Sequence, residues 1–247
     1  MFATTRDSLL AGQVILEQPQ QGYRVALDPV LLAASLTLKP AQSLLDLGCG
    51  VGAVFLCAGF REPTLRSVGL ELQPDMASLA RRNIQLNGLA ARASVVVGNA
   101  LFPPFAPHSF DHVVANPPYY EEGASTASPH SQKKISHQLG DGDLMGWVKT
   151  ALQLVKTRGK ITFILPSFRC HELLGEMSKH LGDIQILPIY AKADRPAERV
   201  ILSGRKGVRT PLKILPGLVL HESCGAWTPA AREILEAGRG LTDLIYV

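Results

Sequence analysis

Cysteine is scarce in this sequence. Its 247 residues contain four, at positions 49, 57, 170 and 224. None forms a Cys-x-x-Cys pair, and none stands beside a histidine at zinc-finger spacing. A structural zinc site is therefore not expected, and no metal is called for. So few cysteines cannot build a disulfide framework in a chain of this length, which points to a reducing, cytoplasmic setting. Long hydrophobic runs are missing too. The longest, around residues 51–60, is broken by Gly52 and Gly59. It falls short of the roughly 18 residues a membrane helix needs. The opening residues Met-Phe-Ala-Thr-Thr-Arg-Asp-Ser lack a basic head followed by an apolar stretch. Neither a signal peptide nor a membrane anchor is expected, and the protein reads as soluble. Excess charge is small: 25 Lys+Arg against 21 Asp+Glu, a net +4. That permits a nucleic-acid partner without requiring one. Core material, in contrast, is ample. Hydrophobic residues make up 46% and charged residues 19%, which excludes disorder of the whole chain. The length allows one large domain or two small ones.

Strand and helix patterns divide the chain into three zones. Residues 1–42 read as an N-terminal extension: a strand at 14–16, a turn at 19–22, a second strand at 23–27, then a helix. Asp28-Pro29 has the chemistry of a helix start, with Asp as cap. Residues 43–204 alternate strand and helix. Strands are expected at 43–47, 67–70, 94–97, 110–115, 160–165 and 184–189, with helices at 51–60, 75–87, 144–155 and 168–181 between them. Such alternation implies βαβ units. The fold class is therefore α/β: a Rossmann-like, doubly wound, mostly parallel sheet. Residues 205–247 form a C-terminal extension of the same domain. Strands at 199–202 and 212–220 follow one another across that boundary, suggesting an antiparallel C-terminal edge on a sheet expected to have seven strands. Thr228-Pro229 opens a last short helix. Residues 121–140 are polar and without period, the pattern of a long loop.

Two motifs carry chemistry. Asp46-Leu47-Gly48-Cys49-Gly50-Val51-Gly52-Ala53 follows a strand and precedes a helix. Glycines there let the backbone approach a ligand, and the helix N-terminus offers free N–H donors. Glu71 ends the next strand, where a carboxylate can accept both hydroxyls of a ribose. The pattern is ambiguous, because Gly48-x-Gly50-x-x-Ala53 also satisfies the dinucleotide fingerprint. Asp46, two residues before the first glycine, favours the Asp/Glu-x-Gly-x-Gly-x-Gly pattern of S-adenosylmethionine binding.

The second motif is Asn116-Pro117-Pro118-Tyr119, closing the strand at 110–115. Two prolines have no N–H to donate, so the chain must leave the sheet there. In an open α/β sheet ligands bind at the carboxyl ends of the strands. The Asn116 side-chain oxygen and the Pro117 carbonyl can take the two hydrogens of a planar amine. That frees a lone pair otherwise delocalised into the ring, and Tyr119 can stack on the base. By itself such a tetrapeptide is also a plain Asx turn.

With both motifs in place, the chain resembles class I S-adenosylmethionine-dependent methyltransferases of the amino-methylating kind. More narrowly it is similar to the bacterial tRNA1(Val) adenine methyltransferase family. The likeness rests on Asp7-Ser8-Leu9-Leu10-Ala11-Gly12-Gln13-Val14, Gln18-Pro19, Gly22-Tyr23-Arg24 and Asp28 with Leu31-Leu32-Ala33-Ala34. It continues in Ala197-Glu198-Arg199-Val200-Ile201-Leu202, His221-Glu222 and Gly225-Ala226-Trp227-Thr228. Residues 121–142 match poorly. The resemblance implies methylation of the exocyclic amine of an anticodon-loop adenine at position 37. It implies a cofactor site of Asp46, Gly48, Cys49, Gly50, Gly52, Glu71, Leu72, Asn99, Ala100 and Asn116, the catalytic residues being Asn116, Pro117, Pro118 and Tyr119. Asn99 stands where relatives commonly have Asp.

The +4 is unevenly spread. Between residues 190 and 213 seven basic side chains face Asp194 and Glu198, a local +5. A basic hairpin there could bind phosphate, or it could be a solvated turn. Substrate contacts are expected from Tyr119, Tyr120, Lys133, Lys134, Arg199, Arg205 and Lys206. His130 and His137 in the polar loop read as solvated side chains; the chemistry requires no histidine. Alternatives stay open at this point: amide methylation of a release-factor glutamine, methylation of guanine in rRNA or adenine in DNA, an NAD-dependent oxidoreductase, and a non-catalytic RNA-binding protein. Oligomeric state is not legible.

Overall fold

A computed structural model describes residues 3–22, 24–118 and 144–245. The first elements are a hairpin of β1 (Thr4–Leu9) and β2 (Val14–Pro19), then helix α1 (Leu27–Ala34). The alternating part comprises β3 (Ser43–Leu47), α2 (Ala53–Arg61), β4 (Arg66–Glu71), α3 (Pro74–Leu86), β5 (Ala93–Val97), β6 (Phe110–Ala115), α4 (Leu144–Leu154) and β7 (Val155–Pro166). A 3-10 turn (Ser167–Arg169), α5 (Cys170–Met177), β8 (Leu181–Lys192) and β9 (Arg199–Lys206) follow. The chain ends with β10 (Lys213–Ile214), β11 (Leu218–His221), α6 (Pro229–Leu235) and α7 (Thr242–Ile245).

The main sheet has the order β10-β8-β9-β7-β6-β3-β4-β5, with β11 also on β8. Five strands, from β5 to β7, are mutually parallel. The antiparallel pairing lies on the C-terminal side, where β9 is inserted between β7 and β8. Among the described residues the main sheet has nine strands instead of seven. The expected strand at 212–220 is two short ones, β10 and β11, both parallel to β8. Pro216 has no N–H for a ladder, so the stretch breaks there. The boundary expected at 204/205 falls inside β9.

Buried parallel strands alternate their side chains between two apolar layers. On β3, Leu44 enters the layer formed with α1, α2, α3 and α6, whereas Leu45 and Leu47 enter the layer formed with α4 and α5. Helix α3 shows why its segment is helical. Pro74 occupies the first turn, Ala77, Ala80 and Ile84 make one buried stripe, and Gly88 at φ +66° follows the Asn87 cap.

The N-terminal hairpin differs from its expected form. Its partner strand is Thr4–Leu9, and residues 24–26 are not strand. Thr4–Leu9 is polar and alternates exposed with half-buried positions, so it has no apolar signature. Residues 24–26 are instead tied to β2: Val25 N donates to Gln18 Oε1 (2.8 Å) and Arg24 Nη1 to Pro19 O (3.1 Å). Helix α1 starts at Leu27 without a side-chain cap, and the carboxylate of Asp28 accepts from Arg199 Nε at 3.1 Å. The expected helix at 168–181 is shorter. A 3-10 turn opens it and β8 already begins at Leu181.

The outer edge of β2 would be an unpaired backbone, and two asparagines of α3 close it. Ile15 N donates to Asn87 Oδ1 (2.8 Å) and Asn87 Nδ2 donates back to Ile15 O (2.7 Å). Glu17 N and O make the same exchange with Asn83 at 2.7 and 2.9 Å. A carboxamide has the donor–acceptor geometry of a peptide, so two of them four residues apart imitate a neighbouring strand. Asn83 Nδ2 also reaches Val51 O at 2.9 Å, linking the hairpin to the glycine turn.

Candidate active site

The glycine turn leaves β3 at the carboxyl edge of the sheet. Gly48, Gly50 and Gly52 have φ of +66°, +55° and +95°, where other L residues are strained. Gly48 N and Cys49 N both donate to Leu70 O, at 2.8 and 3.1 Å. Gly52 then serves as the N-cap of α2.

Two carboxylates sit under this turn. Asp46 is 1% exposed. The backbone N–H of Phe55, in the first turn of α2, favours its charged form. Asp46 Oδ2 has no hydrogen-bond partner among the described residues. Burial raises the Asp46 pKa well above the ordinary carboxylate range, and the charge of Glu71 raises it further. Glu71 is also buried. Its Oε2 accepts from Gly50 N and its Oε1 from Gln73 N, both at 2.8 Å. Burial pushes its pKa up, opposed by those N–H groups and that of Leu72. A cation and a pair of hydroxyls are the ligand groups that would complete such acceptors. The Cys49 thiol is buried and pressed toward Gly69, and burial raises its pKa well above the ordinary value. Any role it has at the site is through its backbone.

The Asn-Pro-Pro segment emerges beside this turn. Leu47 of β3 pairs with Ala115 of β6, so Gly48 and Asn116 are the next residues on two adjacent parallel strands. Asn116 is half-buried, Pro117 buried and Pro118 exposed. Tyr119, Tyr120, Lys133, Lys134, His130 and His137 lie outside the described residues. Further along the same edge, Asn99 follows β5, and its Oδ1 accepts from Leu101 N at 2.8 Å. Leu72 and Ala100 are half-buried nearby in the chain, after β4 and β5.

The basic residues divide. Arg199 begins β9 opposite Pro166, the end of β7, and so lies on the carboxyl edge. Arg205 and Lys206 do not join the site. Because β9 runs antiparallel, Arg205 pairs with Lys160, six residues back along β7 and about 20 Å away. There Arg205 donates to Arg158 O, and Lys206 donates to Leu152 O. The expected basic hairpin is not one, because β8 separates β9 from β10.

Two aromatic side chains at this edge carry no motif signal. Phe168, in the 3-10 turn after β7, is 58% exposed. Trp147, in the first turn of α4, lies against Gly48. Helical spacing places Trp147 next to core positions, which hides it among them in the sequence.

A family model described as "Methyltransferase small domain" matches residues 26–187. The chain belongs to the methyltransferase small domain family. This methyltransferase is 30% identical to a tRNA1(Val) (adenine(37)-N6)-methyltransferase of Histophilus somni (strain 129Pt), over 77% of this chain and 80% of the relative. It is 29% identical to the protein of the same name from Actinobacillus pleuropneumoniae serotype 7 (strain AP76), over 91% and 94%. Among solved structures, one described as a predicted O-methyltransferase from Agrobacterium tumefaciens matches with a TM-score of 0.71. It is 24% identical and covers 86% of this chain and 97% of that one, which speaks to the fold. The methyl donor is S-adenosylmethionine, as the family implies, and the paired buried carboxylates beneath a turn with glycine at every second position fit it. Among the described residues no helix is long and apolar enough to cross a membrane.

Proposed function

We propose that this methyltransferase methylates the exocyclic amine of an adenine in tRNA, an anticodon-loop adenine of the position-37 type. The observation that carries the reading is the register of β3 and β6. It sets Asn116 beside Gly48, so the amine-binding motif adjoins the cofactor turn on neighbouring strands. The names of the relatives support the same substrate. A tRNA substrate agrees with the cytoplasmic setting that the scarcity of cysteine implies.

In this reading Asp46, Gly48, Cys49, Gly50 and Gly52 hold the methionine end of S-adenosylmethionine, with Cys49 contributing backbone only. Glu71 holds the ribose hydroxyls, and Leu72, Asn99 and Ala100 surround the adenine. When bound, the cofactor supplies an electrophilic methyl on a sulfonium. The Asn116 side-chain oxygen and the Pro117 carbonyl accept the two N–H hydrogens of the target amine. That pulls the nitrogen toward tetrahedral geometry and aims its lone pair. Tyr119 stacks on the extruded base, and Phe168 offers a second ring at the same edge. An anticodon-loop adenine is already partly unstacked, so extruding it costs less than flipping a base from a duplex. Positioning and fixed dipoles do most of the catalysis.

The test is transfer of labelled methyl from S-adenosylmethionine to total tRNA from a strain lacking this protein, with release factor as the competing acceptor. Label in tRNA supports the reading. Label in release factor alone would move the substrate to a glutamine amide, which the same pair of acceptors also fits.

A further inference from the structure

Gly48 is crowded as well as twisted. A Cβ built on it would lie 2.6 Å from Cη2 and 3.1 Å from Cζ3 of Trp147. The six-membered part of the indole therefore rests against the Cα of the first glycine of the cofactor turn. Trp147 is held there by its helix. Leu144, Val148, Ala151 and Leu154 of α4 are buried against β3, β6 and β7, while Trp147 stays half-buried.

The electrostatics of the same place ask for a cation. Asp46 and Glu71 are buried together, one Asp46 oxygen lacks a partner, and no ion pair to either carboxylate is formed among the described residues. An aromatic ring is the neutral surface that best stabilises a desolvated cation, and indole is the strongest of them. The cofactor changes charge during the reaction: the methyl donor is a sulfonium cation and the spent product a neutral thioether.

We propose that Trp147 is a cofactor-recognition residue, walling the site over Gly48 and favouring the charged sulfonium over the neutral thioether. Such a wall holds the donor and weakens the grip on the product once the charge is gone. The inference rests on S-adenosylmethionine as the donor, but not on which amine is methylated.

The sequence contains two tryptophans, and the second, Trp227, stacks on His221 with ring centroids 4.2 Å apart, in the C-terminal extension. Trp227→Phe therefore leaves Trp147 as the only indole fluorophore. In that variant, emission is expected to change on titration with S-adenosylmethionine and with S-adenosylhomocysteine. By calorimetry, Trp147→Leu is expected to weaken S-adenosylmethionine about fivefold to tenfold and S-adenosylhomocysteine less than about twofold. Trp147→Phe is expected to keep most of that preference. Equal weakening of both ligands in Trp147→Leu would overturn the proposal, as would unchanged emission while calorimetry shows binding. If the leucine variant melts below the assay temperature, the phenylalanine variant and the emission titration decide. A wild-type protein that binds neither ligand would instead sink the cofactor assignment itself.

Discussion

At the scale of residues, the site depends on groups left incomplete in the folded chain. Asn116 is the one with the most direct chemical role proposed. Asn116→Ala is expected to lower kcat by about a hundredfold to a thousandfold, the usual effect of removing one oriented dipole. The dissociation constant for S-adenosylmethionine should stay within about twofold, measured by calorimetry. A turnover number that survives the substitution contradicts the role. Asp46 is destabilising in the free protein. Its pKa is higher folded than unfolded, so the folded state binds the proton more tightly. Stability from this group is therefore full below the ordinary aspartate value of about 4 and declines as pH rises toward the raised folded value. Asp46→Asn keeps a polar side chain of the same size and removes the buried charge. It should raise the melting temperature of the free protein by about 2–4 °C per kcal/mol relieved at neutral pH, and weaken S-adenosylmethionine about tenfold or more. Wild-type affinity for the donor should correspondingly tighten as pH rises through that window, because binding a cation expels the proton. An affinity flat in pH, or one that loosens on the way up, counts against this linkage.

At the scale of elements, the hairpin and α3 act as one unit through two side chains. Asn83 is fully buried and serves Glu17 N, Glu17 O and Val51 O. Asn83→Leu strands all three, at a cost of about 1–3 kcal/mol per orphaned group before relaxation. Hydrogen exchange should show faster exchange of the Glu17 amide and of the residue 48–52 turn together. Acceleration in the hairpin alone would show that the link to Val51 O is inconsequential. The parallel strands and their helices were legible because buried strands read as apolar runs and α3 has both a Pro start and a Gly stop. The hairpin was not. Thr4–Leu9 owes its strand form to partners, and the asparagines that close β2 lie some seventy residues away in sequence. Asp28 was legible as a helix-start residue, but its carboxylate turns to Arg199, 171 positions distant. The placement of the glycine turn, Glu71 and Asn116 could be read because each rule concerns a strand end. The position of Trp147 against Gly48 could not, because nothing local distinguishes it from a core residue.

At the scale of the whole molecule, the sheet has two unlike edges. The carboxyl edge gathers the glycine turn, Glu71, Asn99, Asn116, Phe168 and Arg199. The amino edge gathers Arg158, Lys160, Arg205 and Lys206, near a cavity of about 610 Å³ lined in part by Lys179, His180 and Arg209. The local +5 read from residues 190–213 is thus split between edges by the reversal of β9. In tRNA methylation, Arg199→Ala should raise KM about fivefold and flatten its salt dependence by about one counterion, whereas Arg205→Ala should leave KM within about twofold. The opposite order of effects would place the RNA on the amino edge. The central claim is an adenine amine in tRNA set against Asn116. Its most direct measurement is nucleoside mass spectrometry of tRNA labelled by this protein, with the labelled position mapped. The account predicts label in N6-methyladenosine at a single anticodon-loop adenine. Label in a ring-nitrogen methyladenosine, in methylguanosine, or in protein with none in tRNA would contradict it.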